Sequence, residues 1–304
     1  MKERAHFGEW ASTEAETRFR AKEDELWDEF GGGRPPSLDV PTAFGTTRAY
    51  RWEGDGEPVL FLHGATGTSL SWVPHVALLH GRVAYAVDTI GDVGGSRQTA
   101  PIREPADLVT WLDETLGGLE LDRVHVAGTS YGGFLGLLLA AHRPERVRSL
   151  TLFDPGGIVR LHLFRFLAWG AACLFASALP ARPRRAAGRA LRMPALDDRR
   201  ILAMTLYGQR HHRVRLLPTD PLSDGDLRSI AAPVLLLVGR KSEVHDARAC
   251  VARASALLPD VDAELVPGAG HALTLSHAAH CTERLVGFVV EVEAGGHRSK
   301  RIAP

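Results

Sequence analysis

The feature that most constrains this chain is an alternation of short apolar runs with segments of helical periodicity. Runs such as VLFL at 59–62 and VAYAVD at 83–88 are short and apolar throughout, which favours buried strands. The segments between them include 132–142, which has an almost wholly apolar helical face. Strands buried on both faces and separated by helices are typical of a parallel sheet covered by helices on both sides. The sequence therefore predicts an α/β fold, with further buried strands at 124–128, 150–153, 234–238 and 263–266.

The 304 residues are predicted to form one core with several additions. Residues 1–40 have charged residues around apolar positions at helical spacing, followed by a Gly/Pro-rich run, and predict a helix and a linker. The core is expected at 41–157 and 231–291. Residues 158–230 do not fit the alternation, and their aliphatic, arginine-rich helical pattern predicts a cap over the sheet. Residues 292–304 are expected to form a frayed tail.

Charge and cysteine content argue against several classes of protein. Lys+Arg and Asp+Glu both number 36, so the formal net charge is +0 and no nucleic-acid partner is expected. The 3 cysteines are far apart, which argues against a disulfide framework and a metal site, and the pair His211-His212 is not expected to bind a metal. The N-terminus lacks an apolar signal sequence, and the longest uncharged stretch is short for a bilayer crossing. We therefore expect a cytoplasmic protein without stable membrane insertion.

The strongest motif is GTSYG, in which Ser130 stands between a predicted buried strand and an apolar helix. A serine at a sharp strand-to-helix turn projects its hydroxyl at the carboxyl edge of the sheet. The flanking Gly128 and Gly132 allow close approach of neighbouring backbone. The adjoining helix N-terminus favours negative charge that develops on a substrate. This context predicts that Ser130 is a nucleophile.

A serine hydroxyl needs a base and a site for the negative oxygen that its attack creates. His271, in the segment VPGAGHALTL, follows the last predicted strand, where the order Ser, acid, His places the base. The run HGATG follows another predicted strand, and its backbone N–H groups can face Ser130. We predict an oxyanion hole formed by the N–H groups of Ala65 and Tyr131. His63 is expected to fix this loop by hydrogen bonds.

Five segments together resemble the α/β-hydrolase superfamily: HGATG, AVDTIGDVGGS, AGTSYGG, LLLVGRKSEVHD and GAGHAL. The resemblance covers residues 41–290, and in detail the chain is similar to bacterial carboxylesterase-like members of this superfamily. It implies a helical cap inserted after strand 6 and a cofactor-free serine hydrolase of a carboxylic ester, thioester or lactone. The implied partner is a small-molecule acyl substrate, attacked through an acyl-enzyme intermediate. Dehalogenase and epoxide hydrolase relatives carry an aspartate where Ser130 stands, so those activities are not expected.

The acid of the predicted triad departs from the common pattern of that superfamily. The usual position, three residues after a glycine that follows the seventh strand, holds Ser242. Asp154 ends a predicted strand, at a second acid position that the superfamily uses, and Glu243 lies one residue beyond Ser242. We predict Asp154, with Glu243 as the alternative and Asp246 as a further candidate. In each case the carboxylate would orient His271 and stabilise its imidazolium form.

Four further features were considered for the substrate pocket. Trp72 can line a substrate pocket or pack in the core, and the same holds for the Tyr131 side chain. Asp88 is expected to organise its loop rather than to contact substrate. The cap arginines can attract an anionic or carrier-bound acyl substrate, or form a solvated helix face.

Two functions compete with ester hydrolysis on the same motifs. In a biosynthetic cyclase or acyl transferase, a hydroxyl or amine of the substrate captures the acyl group instead of water. A non-catalytic ligand-binding member would have lost turnover because the acid is absent from its usual position. The sequence predicts neither the substrate nor the oligomeric state.

Overall fold

The computed structural model describes residues 7–296 and 301–303. In chain order its helices and strands are β1 (Glu9–Trp10), α1 (Thr13–Gly31), β2 (Ser37–Thr42), β3 (Gly45–Trp52), β4 (Asp55–Leu62), α2 (Val73–Val76), β5 (Arg82–Val87), β6 (Arg97–Gln98), α3 (Pro105–Gly118), β7 (Val124–Thr129), α4 (Tyr131–His142), β8 (Val147–Phe153), α5 (Leu163–Ser177), α6 (Ala181–Ala190), α7 (Arg199–His211), β9 (His212–Arg213), α8 (Asp224–Ser229), β10 (Val234–Gly239), α9 (Ala247–Leu257), β11 (Val261–Val266), α10 (Leu273–Ser276), α11 (Ala278–Glu293) and β12 (Arg301–Ala303).

One sheet of ten strands organises the molecule. Its spatial order is β12-β11-β10-β8-β7-β4-β5-β3-β2, and β6 pairs with β3. The pairs from β5 through β4, β7, β8, β10 and β11 to β12 are parallel, whereas β3 pairs antiparallel with β2, β5 and β6. The predicted mostly parallel sheet is therefore confirmed. Because the central strands are parallel, the loops that follow them meet at one edge of the sheet.

The core lies on both faces of this sheet because successive strand side chains point to opposite sides. In β4, Leu60 and Leu62 join a cluster with α3, α4 and α9, whereas Val59 and Phe61 join a second cluster with α11. The strand β10, with the sequence VLLLVG, is buried at every position. Helix α4 is buried along most of its length as well, which explains its almost wholly apolar sequence.

The N-terminal helix covers one end of the sheet. The side chain of Ser12 caps α1 by accepting the N–H of Ala15, and the helix ends before Gly32, which has a left-handed φ of 68°. Its buried Phe19, Leu26 and Trp27 pack with Tyr50, and its other face is mostly exposed. The edge strand β2 begins within the residues predicted as a linker and pairs antiparallel with β3.

Helices α5, α6 and α7 form an insertion between β8 and β10, within the residues predicted as a cap. Helix α8, from the same range, packs instead against α4 and α9 of the core, where Leu227 and Ile230 are buried. At the C-terminus, α11 extends into the predicted tail, and β12 pairs with β11. The rest of that tail, 297–300 and 304, lies outside the described residues. Within the described part of the chain, no helix combines the length and the apolar character that a membrane crossing needs.

Candidate active site

Ser130 occupies the sharp turn that joins β7 to α4. Its φ of 52° and ψ of −111° lie in a region that non-glycine residues rarely adopt. Backbone hydrogen bonds hold it there: its N–H donates to the Phe153 carbonyl at 3.0 Å, and its own carbonyl accepts the Gly156 N–H at 2.9 Å. Hydrogen bonds to β8 and to the loop that follows β8 thus hold Ser130 in this strained conformation.

The glycines beside this turn are required by close backbone contacts. A Cβ atom added at Gly132 would lie 2.0 Å from the carbonyl oxygen of Leu62 in the neighbouring strand. One added at Gly128 would lie 2.3 Å from the carbonyl oxygen of Gly132. Both distances are far below van der Waals contact, so only glycine fits the two positions.

His271 links Ser130 to a buried carboxylate. The His271 Nε2 atom lies 3.0 Å from Ser130 Oγ, and its Nδ1 atom lies 2.6 Å from Asp154 Oδ2. With Nδ1–H donating to the carboxylate, Nε2 is left to accept the serine proton. The three side chains come from loops after β7, β8 and β11, which meet at the same edge of the sheet.

Asp154 is fully buried and is surrounded by donors. Its Oδ1 accepts the N–H of Gly239 at 3.0 Å, and its Oδ2 accepts the hydroxyl of Ser242 at 2.7 Å in addition to His271. A buried carboxylate is stable as an anion only when such hydrogen bonds replace water. Its backbone has a φ of 45°, and its N–H donates to the Leu237 carbonyl at 2.8 Å.

The other candidate carboxylates do not reach the imidazole. Glu243 Oε2 accepts the backbone N–H of His271 at 2.9 Å, while Glu243 Oε1 lies 2.6 Å from Nη2 of Arg192. Asp246 caps α9 by accepting the N–H of Ala249 at 3.0 Å. The structure therefore brings Asp154, and neither of the alternatives, to the His271 ring.

The predicted oxyanion loop packs against the serine. A Cβ atom added at Gly64 would lie 3.3 Å from Ser130 Cβ, and Ala65 lines the same cavity as Ser130 and His271. Tyr131 is the first residue of α4, so its N–H has no carbonyl partner within its own helix. The structure thus brings both predicted donor residues beside Ser130.

Buried polar groups fix the shape of this loop. His63 Nδ1–H donates to the Gly64 carbonyl at 2.8 Å, and its Nε2 accepts the N–H of Thr89 at 2.9 Å. His63 thus ties its own loop to the loop that follows β5, in keeping with the expectation that it fixes the HGATG loop by hydrogen bonds. Asp92 accepts the N–H of Thr66 at 2.8 Å, and burial raises the pKa of Asp92 to about 6.

Trp72, Tyr131 and Asp88 were considered for the pocket or its loops, and the side chains of all three are buried. Trp72 is 1% exposed and packs on Phe61, with ring centroids 4.7 Å apart. It does not line the cavity at Ser130, but it borders a smaller cavity of about 170 Å³ beside Ala65 and Thr66. The Tyr131 side chain is buried beside Phe134. Asp88 organises its loop as expected, since its carboxylate accepts N–H groups of two nearby loop residues.

A cavity of about 320 Å³ opens above Ser130 and His271. Its outer wall is formed mostly by apolar side chains of the insertion, namely Phe166, Trp169, Cys173, Leu196, Leu202 and Leu206. The Trp169 ring stands edge-on to the His271 ring, with centroids 6.3 Å apart. Burial raises the pKa of the Cys173 thiol to about 11, so the thiol is neutral near pH 7. Sequence reasoning missed these residues because apolar positions in a helical insertion carry no motif.

One group of potential metal ligands, Glu57, His125 and Glu293, occurs within the described residues. Arg82 pairs with Glu293 through two contacts of 2.6 Å, and Arg148 pairs with Glu57. These guanidinium groups already neutralise both carboxylates. The group is therefore explained as an ion-pair network.

Comparisons with known proteins match this chain to a protein family and to individual bacterial proteins. A family model described as "Alpha/beta hydrolase family" matches residues 59–280. Carboxylesterase YbfK of Bacillus subtilis is 29% identical over 260 residues, which cover 82% of this chain and 86% of that protein. An uncharacterized carboxylesterase of the same organism, nap, is 26% identical over 269 residues, covering 84% and 87%.

Solved structures of similar proteins share the architecture. The crystal structure of carboxylesterase CesB (YbfK) from Bacillus subtilis has a TM-score of 0.75 at 26% identity and covers 91% of this chain and 99% of that one. The crystal structure of naproxen esterase from Bacillus subtilis has a TM-score of 0.77 at 26% identity, with the same coverage of 91% and 99%.

Proposed function

Because this chain belongs to the alpha/beta hydrolase family, as the match over residues 59–280 establishes, we propose that it is a serine carboxylesterase with Ser130 as nucleophile. The fold class predicted from the sequence is confirmed by the same match. The observation that carries the proposal is the hydrogen-bonded series Ser130–His271–Asp154 at the base of an apolar cavity. Two similar proteins bear the name carboxylesterase, which favours an ester as the substrate.

Acylation follows from the geometry of the three side chains. Ser130 Oγ transfers its proton to His271 Nε2 and attacks the ester carbonyl carbon. The carbonyl oxygen becomes an oxyanion, which accepts hydrogen bonds from the N–H groups of Ala65 and Tyr131. Asp154 stabilises the imidazolium that forms. His271 then donates its Nε2 proton to the leaving alkoxide, which departs as the alcohol.

Deacylation repeats these steps with water. A water molecule gives a proton to His271 Nε2 and attacks the acyl carbon, and the same N–H groups receive the second oxyanion. The proton returns to Ser130 Oγ as the carboxylic acid leaves. No metal or organic cofactor enters the proposed sequence.

The shape of the cavities favours esters with apolar groups on both sides of the carbonyl. The cavity above Ser130 adjoins a second one of about 340 Å³, and both are lined by Thr66, Ala195 and Thr205. The second cavity is also lined by Ile201 and Met204 and is mostly apolar. Both lie beside the predicted oxyanion loop, so the acyl and alcohol parts of a substrate can occupy them separately.

Hydrolysis of a panel of p-nitrophenyl esters with rising acyl chain length tests the proposal. We expect turnover by the wild type, covalent labelling by a fluorophosphonate probe, and a loss of kcat/KM of about four to six orders of magnitude in Ser130→Ala. Circular dichroism and thermal unfolding establish that the variant is folded. Absence of labelling in the folded wild type would overturn the proposal. Labelling without turnover of any ester would point instead to acyl transfer to another acceptor, as in a biosynthetic tailoring enzyme.

A further inference from the structure

Helix α5 presents a long apolar stripe to solvent. Its exposed large side chains are Leu163, Phe164, Leu167, Leu174 and Phe175, and Phe164 and Phe175 are 90% and 73% exposed. The spacing of these positions places them on one face of a helix with 3.6 residues per turn. The stripe therefore extends over more than three turns. A contiguous apolar surface of this kind marks an interaction site more often than a free surface.

The opposite face of α5 already has a role. Phe166, Trp169 and Cys173 line the cavity above Ser130. Phe166 is also 38% exposed, and Leu174 of the stripe lines the cavity as well, so Leu174 stands at the border between the two faces. The helix is thus apolar on both faces, although only one face is covered by the protein. A helix that is apolar all round is normally buried, so the exposed stripe calls for an external partner.

The charge of this region differs from that of the whole chain. Residues 155–196 contain seven arginines and neither aspartate nor glutamate, whereas the complete chain has a formal net charge of +0. Three of the seven have partners inside the protein: Arg165 donates to the Ser242 carbonyl, Arg184 to the Leu196 carbonyl, and Arg192 pairs with Glu243. The remaining four carry positive charge at the surface.

Three of these arginines lie on one face of α6. Arg182, Arg185 and Arg189 are exposed and follow one another at intervals of three and four residues. Among the described residues, no carboxylate forms an ion pair with any of them. Helix α6 packs directly against α5, so the exposed arginines and the apolar stripe lie on neighbouring helices.

We propose that α5 and α6 dock this protein on an anionic lipid surface. The stripe of α5 would lie at the boundary between headgroups and acyl chains, and the α6 arginines would bind headgroup phosphates. A second copy of the chain is a less suitable partner, because residues 155–196 contain neither aspartate nor glutamate, so a self-contact through α5 and α6 offers these arginines no carboxylate from the same region. The docking lies on the membrane surface and needs no spanning helix.

Sedimentation with lipid vesicles tests the proposal without any measurement of catalysis. We expect the wild type to bind vesicles of phosphatidylcholine mixed with phosphatidylglycerol more tightly than vesicles of phosphatidylcholine alone. Added salt should weaken the binding to the mixed vesicles, because salt screens the arginines from the phosphates. Ser130→Ala should bind as the wild type does, so failure of the esterase proposal and failure of the docking proposal are distinguishable.

The apolar contribution is tested by a matched pair of double variants. Phe164→Ser combined with Phe175→Ser should lose binding to both kinds of vesicle, since it removes the two most exposed rings of the stripe. Leu78→Ser combined with Val290→Ser changes exposed apolar residues elsewhere and should bind as the wild type does. Equal binding by the two double variants would overturn the role of the stripe.

The charge contribution is tested in the same way. Changing Arg182, Arg185 and Arg189 to Gln should weaken binding to mixed vesicles by about 100-fold, at roughly fivefold for each arginine near the surface. Changing the exposed Arg103 and Arg248 to Gln should leave binding unchanged.

Two results would overturn the proposal outright. One is the absence of wild-type binding to mixed vesicles at low salt. The other is a concentration-dependent dimer in analytical ultracentrifugation that Phe164→Ser with Phe175→Ser converts to monomer, because a second copy would then be the partner of the stripe.

Discussion

At the scale of single residues, the assignment of the acid depends on which part of His271 a carboxylate contacts. Asp154 accepts from the imidazole Nδ1, whereas Glu243 accepts from the backbone N–H. Only the first contact can stabilise the imidazolium. Ser242, at the usual acid position, donates its hydroxyl to Asp154 at 2.7 Å. A carboxylate at Ser242 would repel Asp154, so the neutral side chain suits an acid supplied from β8.

The two carboxylates should differ sharply when each is neutralised. We expect Asp154→Asn to lower kcat/KM on one p-nitrophenyl ester by about 10⁴-fold, because the amide no longer stabilises the protonated His271. Glu243→Gln keeps an acceptor for the His271 N–H and loses the ion pair with Arg192, so a decrease of roughly tenfold or less is expected. Thermal unfolding of both variants serves as the control for folding. The reverse order of the two effects would assign the acid to Glu243.

At the scale of elements, the strand-turn-helix unit from β7 to α4 positions Ser130, the proposed nucleophile. The turn forces Ser130 to a positive φ, and the close approach of Leu62 to Gly132 seats the N-terminus of α4 against β4. The helix dipole and the N–H of Tyr131 are thereby directed to the place where an oxyanion would form. Both the strand and the helix of this unit are buried along most of their length.

A single methyl group should disturb this unit. Gly132→Ala places a Cβ atom 2.0 Å from the Leu62 carbonyl oxygen, and we expect a destabilisation of about 1–3 kcal/mol with a loss of esterase activity. Gly287→Ala is the matched control, because Gly287 lies in α11 with no atom within 4 Å of an added Cβ. That variant should gain about 0.5–1 kcal/mol from helix propensity. Denaturant unfolding measures both values, and equal stability of the two variants would contradict the steric argument.

The helical insertion contacts the proposed active site at separate points. Trp169 of α5 stands over the His271 ring, and Arg192, after α6, pairs with Glu243. The Arg165 guanidinium donates to the Ser242 carbonyl at 2.8 Å. The insertion therefore forms part of the cavity wall and also contacts Ser242 and Glu243, in the loop that follows β10.

At the scale of the whole molecule, buried histidines link stability to pH. Burial lowers the pKa of His75, His125 and His212 to about 4, below the ordinary value of 6.5. The native state then binds fewer protons than the unfolded state between pH 4 and 6.5, so stability is lost as pH falls through this range. Asp92 acts in the opposite sense, because its raised pKa makes stability fall as pH rises from 3.8 to about 6.

Replacing one buried histidine should flatten this dependence. His75 Nε2 lies 3.0 Å from the Thr274 carbonyl oxygen in the packing between α2 and α10. We expect the free energy of unfolding of His75→Gln to fall less steeply between pH 6.5 and 4, by about 1.4 kcal/mol per pH unit relative to the wild type. His162→Gln changes an exposed histidine and should leave the slope unaltered. Urea unfolding at several pH values gives the slopes, and identical slopes for His75→Gln and the wild type would contradict the prediction.

Much of the fold and part of the site follow from local sequence. The alternation of apolar runs and helical segments predicted the parallel sheet, because burial on both faces favours apolar residues at successive positions of a strand. The motif GTSYG predicted the turn at Ser130, since its steric requirements involve only a few neighbouring residues. His271 was predicted from its place in VPGAGHALTL, after the last predicted strand and in the chain order Ser, acid, His, and the structure places its Nε2 atom 3.0 Å from Ser130 Oγ.

The remaining features depended on distances between segments that are remote in sequence. Asp154 and Glu243 were both candidates, and only the packing of β8, β10 and β11 decided which one faces the His271 ring. The same packing placed Trp72 in the core and put α5 over Ser130 with its second apolar face in solvent. Periodicity and turn sterics operate within a few residues, whereas the direction of a side chain across a sheet edge is set by the whole arrangement of strands and helices.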